Sequence, residues 1–79
     1  VRRTPFDLVL ALGTDRLRAS SWRGLSAGRA LASFDRRALV QGMAVEREHT
    51  PDPWMRARIA ADHLVEHVDY YTRLTRARL

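Results

Sequence analysis

The sequence predicts a small all-α domain, and three observations carry that expectation. An N-cap residue followed by proline, a helix-start signal, occurs twice, at Thr4-Pro5 and at Asp52-Pro53. Apolar residues recur at spacings of three and four after Phe34 and again after Trp54. Between those two stretches, Thr50-Pro51-Asp52-Pro53 is a stop and a restart of hairpin length. With 79 residues, 46% of them hydrophobic and 29% charged, the chain is one domain and too apolar for simple disorder.

In chain order, Thr4 as N-cap, Pro5 at the first helical position and Asp7 in the first turn predict a short helix over Pro5–Leu12, stopped by Gly13. A hairpin with strands Phe6–Leu12 and Arg16–Trp22 is the rival reading of the same residues. Ser20-Ser21, Gly24, Ser26 and Gly28 make residues 20–28 the loosest stretch. Asp35 predicts the N-cap of a helix over about 35–49, with Phe34 stapled against Leu39. Leu39, Met43 and Glu46 share one stripe of it, widened by Val40, Ala44 and Val45. A second helix over about 53–67 carries Trp54, Ala57, Ala61, Leu64 and Val68 on one face, completing a helical hairpin. Asp69 then caps a short C-terminal helix, Tyr70–Arg78, whose Arg73, Arg76 and Arg78 suit the negative end of the helix dipole. The expected organisation is an N-terminal segment 1–33, loosely structured or ordered by a partner, and a helical domain over 34–79.

Composition removes several function classes. With no cysteine there is no disulfide framework, thiolate zinc site or thiol nucleophile. The apolar run Leu8–Leu12 is far short of the roughly 20 residues a bilayer crossing needs. It is also shorter than the usual h-region of a secretory signal, so neither a membrane segment nor a signal peptide is expected. All 14 basic residues are arginine, and the formal net charge is +5. They are dispersed along the chain without a basic helix stripe, which points only weakly to a polyanion. A single core in so short a chain rarely supplies more than about 3–5 kcal/mol, so a partner surface is a natural source of further stability.

One stretch resembles a known family. Phe34-Asp35, Leu39, Gly42-Met43, Val45-Glu46 and Glu48-His49 form a first block; Ile59-Ala60, His63-Leu64, Glu66, Asp69-Tyr70-Tyr71 and Arg73-Leu74 form a second. In that order they resemble a family of small proteins and domains of unknown function found in bacteriophages, large DNA viruses and bacteria. The resemblance covers Phe34–Leu74; Val68 stands where the family usually carries proline, and Thr50 where glycine is common. It implies company with phage genomes and a virion or host-cytoplasm setting, with no established activity.

The residues leave three uses open. The first is a non-enzymatic module docking onto a larger protein assembly or a second copy of itself, with Trp22, Trp54, Tyr70, Tyr71 and Arg73 as contacts, because Trp, Tyr and Arg dominate binding hot spots. Tyr70 and Tyr71 lie about 100° apart on a helix, so one packs inward and the other is left half exposed. The second is an accessory nucleic-acid binder using Arg73, Arg76 and Arg78, sequence-independent and salt-sensitive. The third is a metal-stapled or metal-dependent domain around His63 and His67, four apart on one helix face with Glu66 or Asp62 beside them. No cofactor and no membrane partner is implied. Of the signature residues Gly42, Glu46, Glu48, His49 and His63, Gly42 costs a helix about 1 kcal/mol, which close packing of His63, Leu64 or a Tyr ring would offset.

Overall fold

The computed structural model describes residues 4–78, the side chain of Arg78 excepted. Helix α1 (Pro5–Ala11) opens on a reciprocal cap, with the Asp7 amide donating to Thr4 Oγ1 and the Thr4 amide donating to the Asp7 carboxylate. Gly13, at φ 67°, turns the chain through the left-handed region into α2 (Thr14–Arg18). The hairpin alternative is therefore not adopted, and among the described residues there is no strand. Short 3₁₀ turns follow at Ala19–Ser21 and Leu31–Ser33.

Helix α3 (Arg36–Val45) is capped by Asp35, whose side chain accepts the Arg37 amide, and α4 (Pro53–Glu66) by Asp52, which accepts from Trp54 and Met55. Both starts agree with the sequence. The expected helix over 35–49 instead ends at Val45 and tightens into a 3₁₀ turn over Glu46–Glu48. Such tightening satisfies terminal carbonyls with i→i+3 bonds, as the His49 amide does to the Glu46 carbonyl. His67 adopts an extended conformation that ends α4, and α5 (Tyr70–Arg78) begins three residues later. The break before the last helix thus forms with Val68 in place of proline.

Helices α3 and α4 form the central hairpin, with α1 packed on both and α5 closing the other side. The two central helices approach closely because small side chains line their seam: Ala57, Ala60 and Ala61 on α4 are fully buried, facing Leu39 and Met43. Gly42 completes the seam. A Cβ there would lie 2.7 Å from Ala60 Cβ and 2.5 Å from Cε2 of Tyr71, so the tyrosine ring of α5 occupies the space of the missing side chain. Phe34 packs partly buried against the same core that buries Leu39, in keeping with the expected staple.

The expected boundary at residue 33 has no counterpart in the packing. Phe6, Val9 and Leu31 are buried in the same cluster as Leu39, Met43, Trp54 and Leu64. Residues 4–33 bury Phe6, Val9 and Leu31 against the hairpin and so complete its core.

Candidate functional site

Two places concentrate chemistry-bearing side chains: a polar junction where α3, α4 and α5 meet, and the outer face of the N-terminal third.

The junction is built on Glu46. The 3₁₀ turn aims its carboxylate inward, where it is only 6% exposed. The Tyr71 hydroxyl donates to its Oε2 at 3.0 Å; Nε2 of His63 lies 3.9 Å from Oε2 and Nε2 of His49 lies 3.9 Å from Oε1. The His63 ring stacks on Tyr70, with centroids 4.3 Å apart and planes 4° from parallel, and Tyr70 meets Tyr71 edge to face. Burial, and then the adjacent Glu46 carboxylate, push the Tyr71 hydroxyl far above its ordinary range. That phenol is therefore a fixed donor, unable to act as a base near neutrality. Chemically the arrangement is a clamp: it joins the end of α3 to α5 and gives the buried carboxylate a donor.

A second network ties residues 15–30 to α4. Arg58, 1% exposed, donates from Nε and one terminal nitrogen to Asp15 Oδ1, and from the other to the carbonyls of Ser26 and Arg29. One turn further, Asp62 Oδ1 accepts from the Trp22 indole at 3.0 Å, the Ser26 amide at 2.7 Å and the Ser26 hydroxyl at 2.6 Å. Sequence reasoning gave neither residue this role: Asp62 entered only as a possible metal ligand beside His63, and Arg58 only as one of the dispersed arginines. Their signal was position: Arg58 follows Trp54 by four and precedes Ala61 by three, so a charge sat on an apolar stripe. A third tie joins Arg18 to Asp52 at 2.7 Å while its guanidinium lies over the Trp54 ring. Burial acts to raise the Asp52 carboxyl, but bonds from Arg18 and the first amides of α4 outweigh it and leave it lowered.

These contacts reassign the candidate docking residues. Trp54 is 3% and Tyr71 1% exposed, so neither presents a docking surface. Trp54 is buried because it packs in the core while its indole donates to Asp15 at 2.8 Å. Trp22 is half-buried, edge-on to Trp54 and tied to Asp62, so the stretch expected to be loosest is pinned by its own indole. Tyr70 stays half-buried on His63, leaving Arg73 as the one fully surface-facing residue of the five.

The metal candidates separate. His63 turns to Glu46 and Tyr70, the exposed His67 has Nδ1 3.5 Å from the Arg73 guanidinium, and Glu66 points to the surface. Among the described residues no group of three His, Asp or Glu side chains is placed to hold a metal ion. Of the nucleic-acid candidates, Arg73 lies 4.0 Å from Asp69 and Arg76 is exposed, while the side chain of Arg78 lies outside the described residues. Among the other signature residues, Glu48 and His49 are exposed at the surface of the 3₁₀ turn.

The N-terminal third presents what the junction lacks. Leu8, Leu10, Leu12, Leu17 and Leu25 are exposed large hydrophobics, Leu12 to 74% and Leu17 to 80%. Helix α1 buries Phe6 and Val9 and so directs Leu8 and Leu12, one turn apart, away from the core. Beside them a groove of about 450 Å³ runs between the end of α1 and the Ala30–Ala32 strand of chain, and it continues past Arg16 into a second of about 620 Å³ beneath Ala27 and Trp22. None of five surface grooves defined by described residues is lined by Glu46, His49, His63 or Tyr71.

No helix among the described residues is long and apolar enough to cross a membrane. No curated protein and no solved structure matches the chain. A family model described as protein of unknown function does match, over residues 11–77, reaching well into the N-terminal third that the motif resemblance left out. With most of its length covered by that model, the chain belongs to the family of unknown function DUF5661.

Proposed function

We propose that this chain is a protein-binding module without catalytic activity, docking onto a larger assembly through the face formed by α1, α2 and the groove beside them. One observation carries the reading: among the described residues, five of the six exposed large hydrophobic residues fall between Leu8 and Leu25. Scattered exposed leucines are ordinary, whereas a contiguous apolar patch marks an interaction site, and here Leu10 and Leu12 line the groove beside α1. Two of them, Leu12 and Leu17, are nearly as exposed as in an unfolded chain, and burying each would contribute about 1.5–3 kcal/mol. For a chain with a thin core, that is a substantial gain on docking.

The junction supports the same reading by contrast. Its ionisable groups are engaged in holding helices together, and its tyrosine is fixed in the neutral form. The resemblance to sequences spread over bacteriophages and large DNA viruses supports a phage particle or a phage-related complex as the assembly. No particular contact favours the nucleic-acid alternative, since Arg73 already faces Asp69.

The test is site-specific photo-crosslinking in the native host extract. A crosslinker at position 12 or 17 is expected to give one discrete protein adduct, and the same group at the exposed Val68 none. Equal, diffuse labelling from all three positions would remove the proposal.

A further inference from the structure

The groove beside α1 and α2 carries an uncompensated positive rim. Arg16 lines both of its parts, and Arg29 lines the second. Both guanidiniums are exposed, and no carboxylate of the described residues lies within ion-pair distance of either. The acid nearest in the groove lining, Asp15, is committed to Arg58 and to the Trp54 indole. The neighbouring Arg18 is satisfied by Asp52. Around these arginines the lining is mainly apolar: Leu10, Leu12 and Leu31 in the first part, and Ala19, Ala27 and Ala30 in the second, which also holds Ser20 and the mutually engaged Asp15 and Arg58.

Resting on the docking reading, we infer that the occupant of this groove is an amphipathic helix with an apolar stripe and acidic flanks, supplied by a partner protein. The apolar stripe takes the apolar lining and the exposed leucines, as in other helix-in-groove recognition. Carboxylates on the flanks meet Arg16 and Arg29, and planar guanidiniums accept carboxylates in bidentate geometry. Two other occupants fit less well. A second copy placed about a two-fold axis sets the same positive rim against itself. A single nucleic-acid strand takes aromatic platforms for its bases, and the one aromatic side chain lining these two grooves is the half-buried, hydrogen-bonded Trp22.

The experiment uses three synthetic amphipathic helices that share one leucine stripe and differ only in flanks of Glu, Gln or Lys. Binding to the full chain is followed by fluorescence anisotropy. The Glu peptide is expected to bind about tenfold more tightly than the Lys peptide, as two exposed ion pairs of ordinary strength provide. High salt and the double variant R16Q/R29Q are each expected to collapse that preference. Both arginines are exposed, so the variant's melting temperature should match the parent's and a loss of preference cannot be loss of fold. Equal or tighter binding of the Lys peptide overturns the inference, as does a Glu preference that survives R16Q/R29Q. Self-association through the face, or displacement of the Glu peptide by single-stranded DNA at moderate salt, overturns it as well. If no peptide binds but crosslinking at 12 and 17 still yields its discrete adduct, the acidic-helix inference fails and the docking reading stands. If the adduct is also absent, the docking reading falls with it.

Discussion

The junction around Glu46 and the outer face of α1 and α2 solve opposite problems with similar means. At the junction, residues of three elements turn polar groups inward: Glu46 from the end of α3, His63 from α4 and Tyr71 from α5. On the N-terminal face, leucines point outward while the same stretch sends Asp15, Trp22 and Ser26 in to meet α4. The recognisable motif residues thus serve mainly the interior, and the stretch outside that motif offers the surface. A motif dense in Glu, His and Tyr invites a reading as a catalytic or metal centre. Here its spacing places the buried Glu46 carboxylate where the Tyr71 hydroxyl donates to it.

Several measurements would sharpen or break this contrast. The largest effect is expected from R58A, which leaves Asp15 without its guanidinium partner and removes the donor to the carbonyls of Ser26 and Arg29. Losing one partner of a buried pair costs about 3–5 kcal/mol, comparable to the whole margin of so small a core. A urea midpoint close to the parent's would show that the N-terminal third is not held by α4. G42V comes next, because its side chain must displace Ala60 or the Tyr71 ring, at a cost of about 1–3 kcal/mol in the same titration. An unchanged midpoint would mean that the seam between α3, α4 and α5 is slack.

Y71F removes the donor to a buried carboxylate, with an expected loss of about 1–3 kcal/mol at neutral pH. Its signature is alkaline. The folded chain holds the Tyr71 hydroxyl protonated above its ordinary value of 10.0, so the unfolded chain releases that proton first as the pH rises. Stability therefore falls above about pH 10 in the parent, and that fall is reduced in Y71F. With arginine as the sole basic side chain besides histidine, no lysine titration obscures it. Equal alkaline slopes in parent and variant would place Tyr71 outside the clamp.

At the other end of the scale, Asp7 is held at about 2 instead of 3.8, first by the Thr4 amide and then by Arg36. Its contribution is present above its unfolded value and disappears as the pH falls from 3.8 towards about 2. D7N should flatten the acid limb of the stability profile over that window, a modest change because the carboxylate is still partly open to water; Asp52, also lowered, keeps part of the slope. The smallest stability change belongs to the face itself. L12S and L17S remove exposed side chains and should each shift stability by no more than about 0.5 kcal/mol, measured by thermal melting. A larger loss would make these leucines part of the core and end the contrast between the two regions.

How much was legible beforehand follows the range of the interactions. Thr4, Gly13, Asp35, Asp52 and Pro53 act within a few residues of themselves, and each marked its helix start or turn in the sequence. The vacancy at Gly42 was also readable, because a glycine inside an apolar stripe implies a neighbour over it; which ring fills it was not. Trp22 looked like a docking residue since its local surroundings are small and polar. Its partner Asp62 lies 40 residues away, and nothing local announces that pairing. Arg58 was visible as a charge on an apolar face, but its acceptors come from a segment with no periodicity to place it.

The sequence by itself determined an all-α domain over residues 34–79, the helical hairpin about residues 50–53 and the short last helix, because caps, prolines and apolar periodicity are properties of neighbouring residues; it left residues 6–22 open between helices and a β-hairpin. Only the tertiary structure decided that Tyr71 is the tyrosine that faces inward, that residues 4–33 complete the core, and that the N-terminal third leaves leucines in water near arginines that make no ion pair among the described residues. Those outcomes depend on which surfaces meet across long separations in the chain, and a buried carboxylate or guanidinium finds its partners only once the helices have packed.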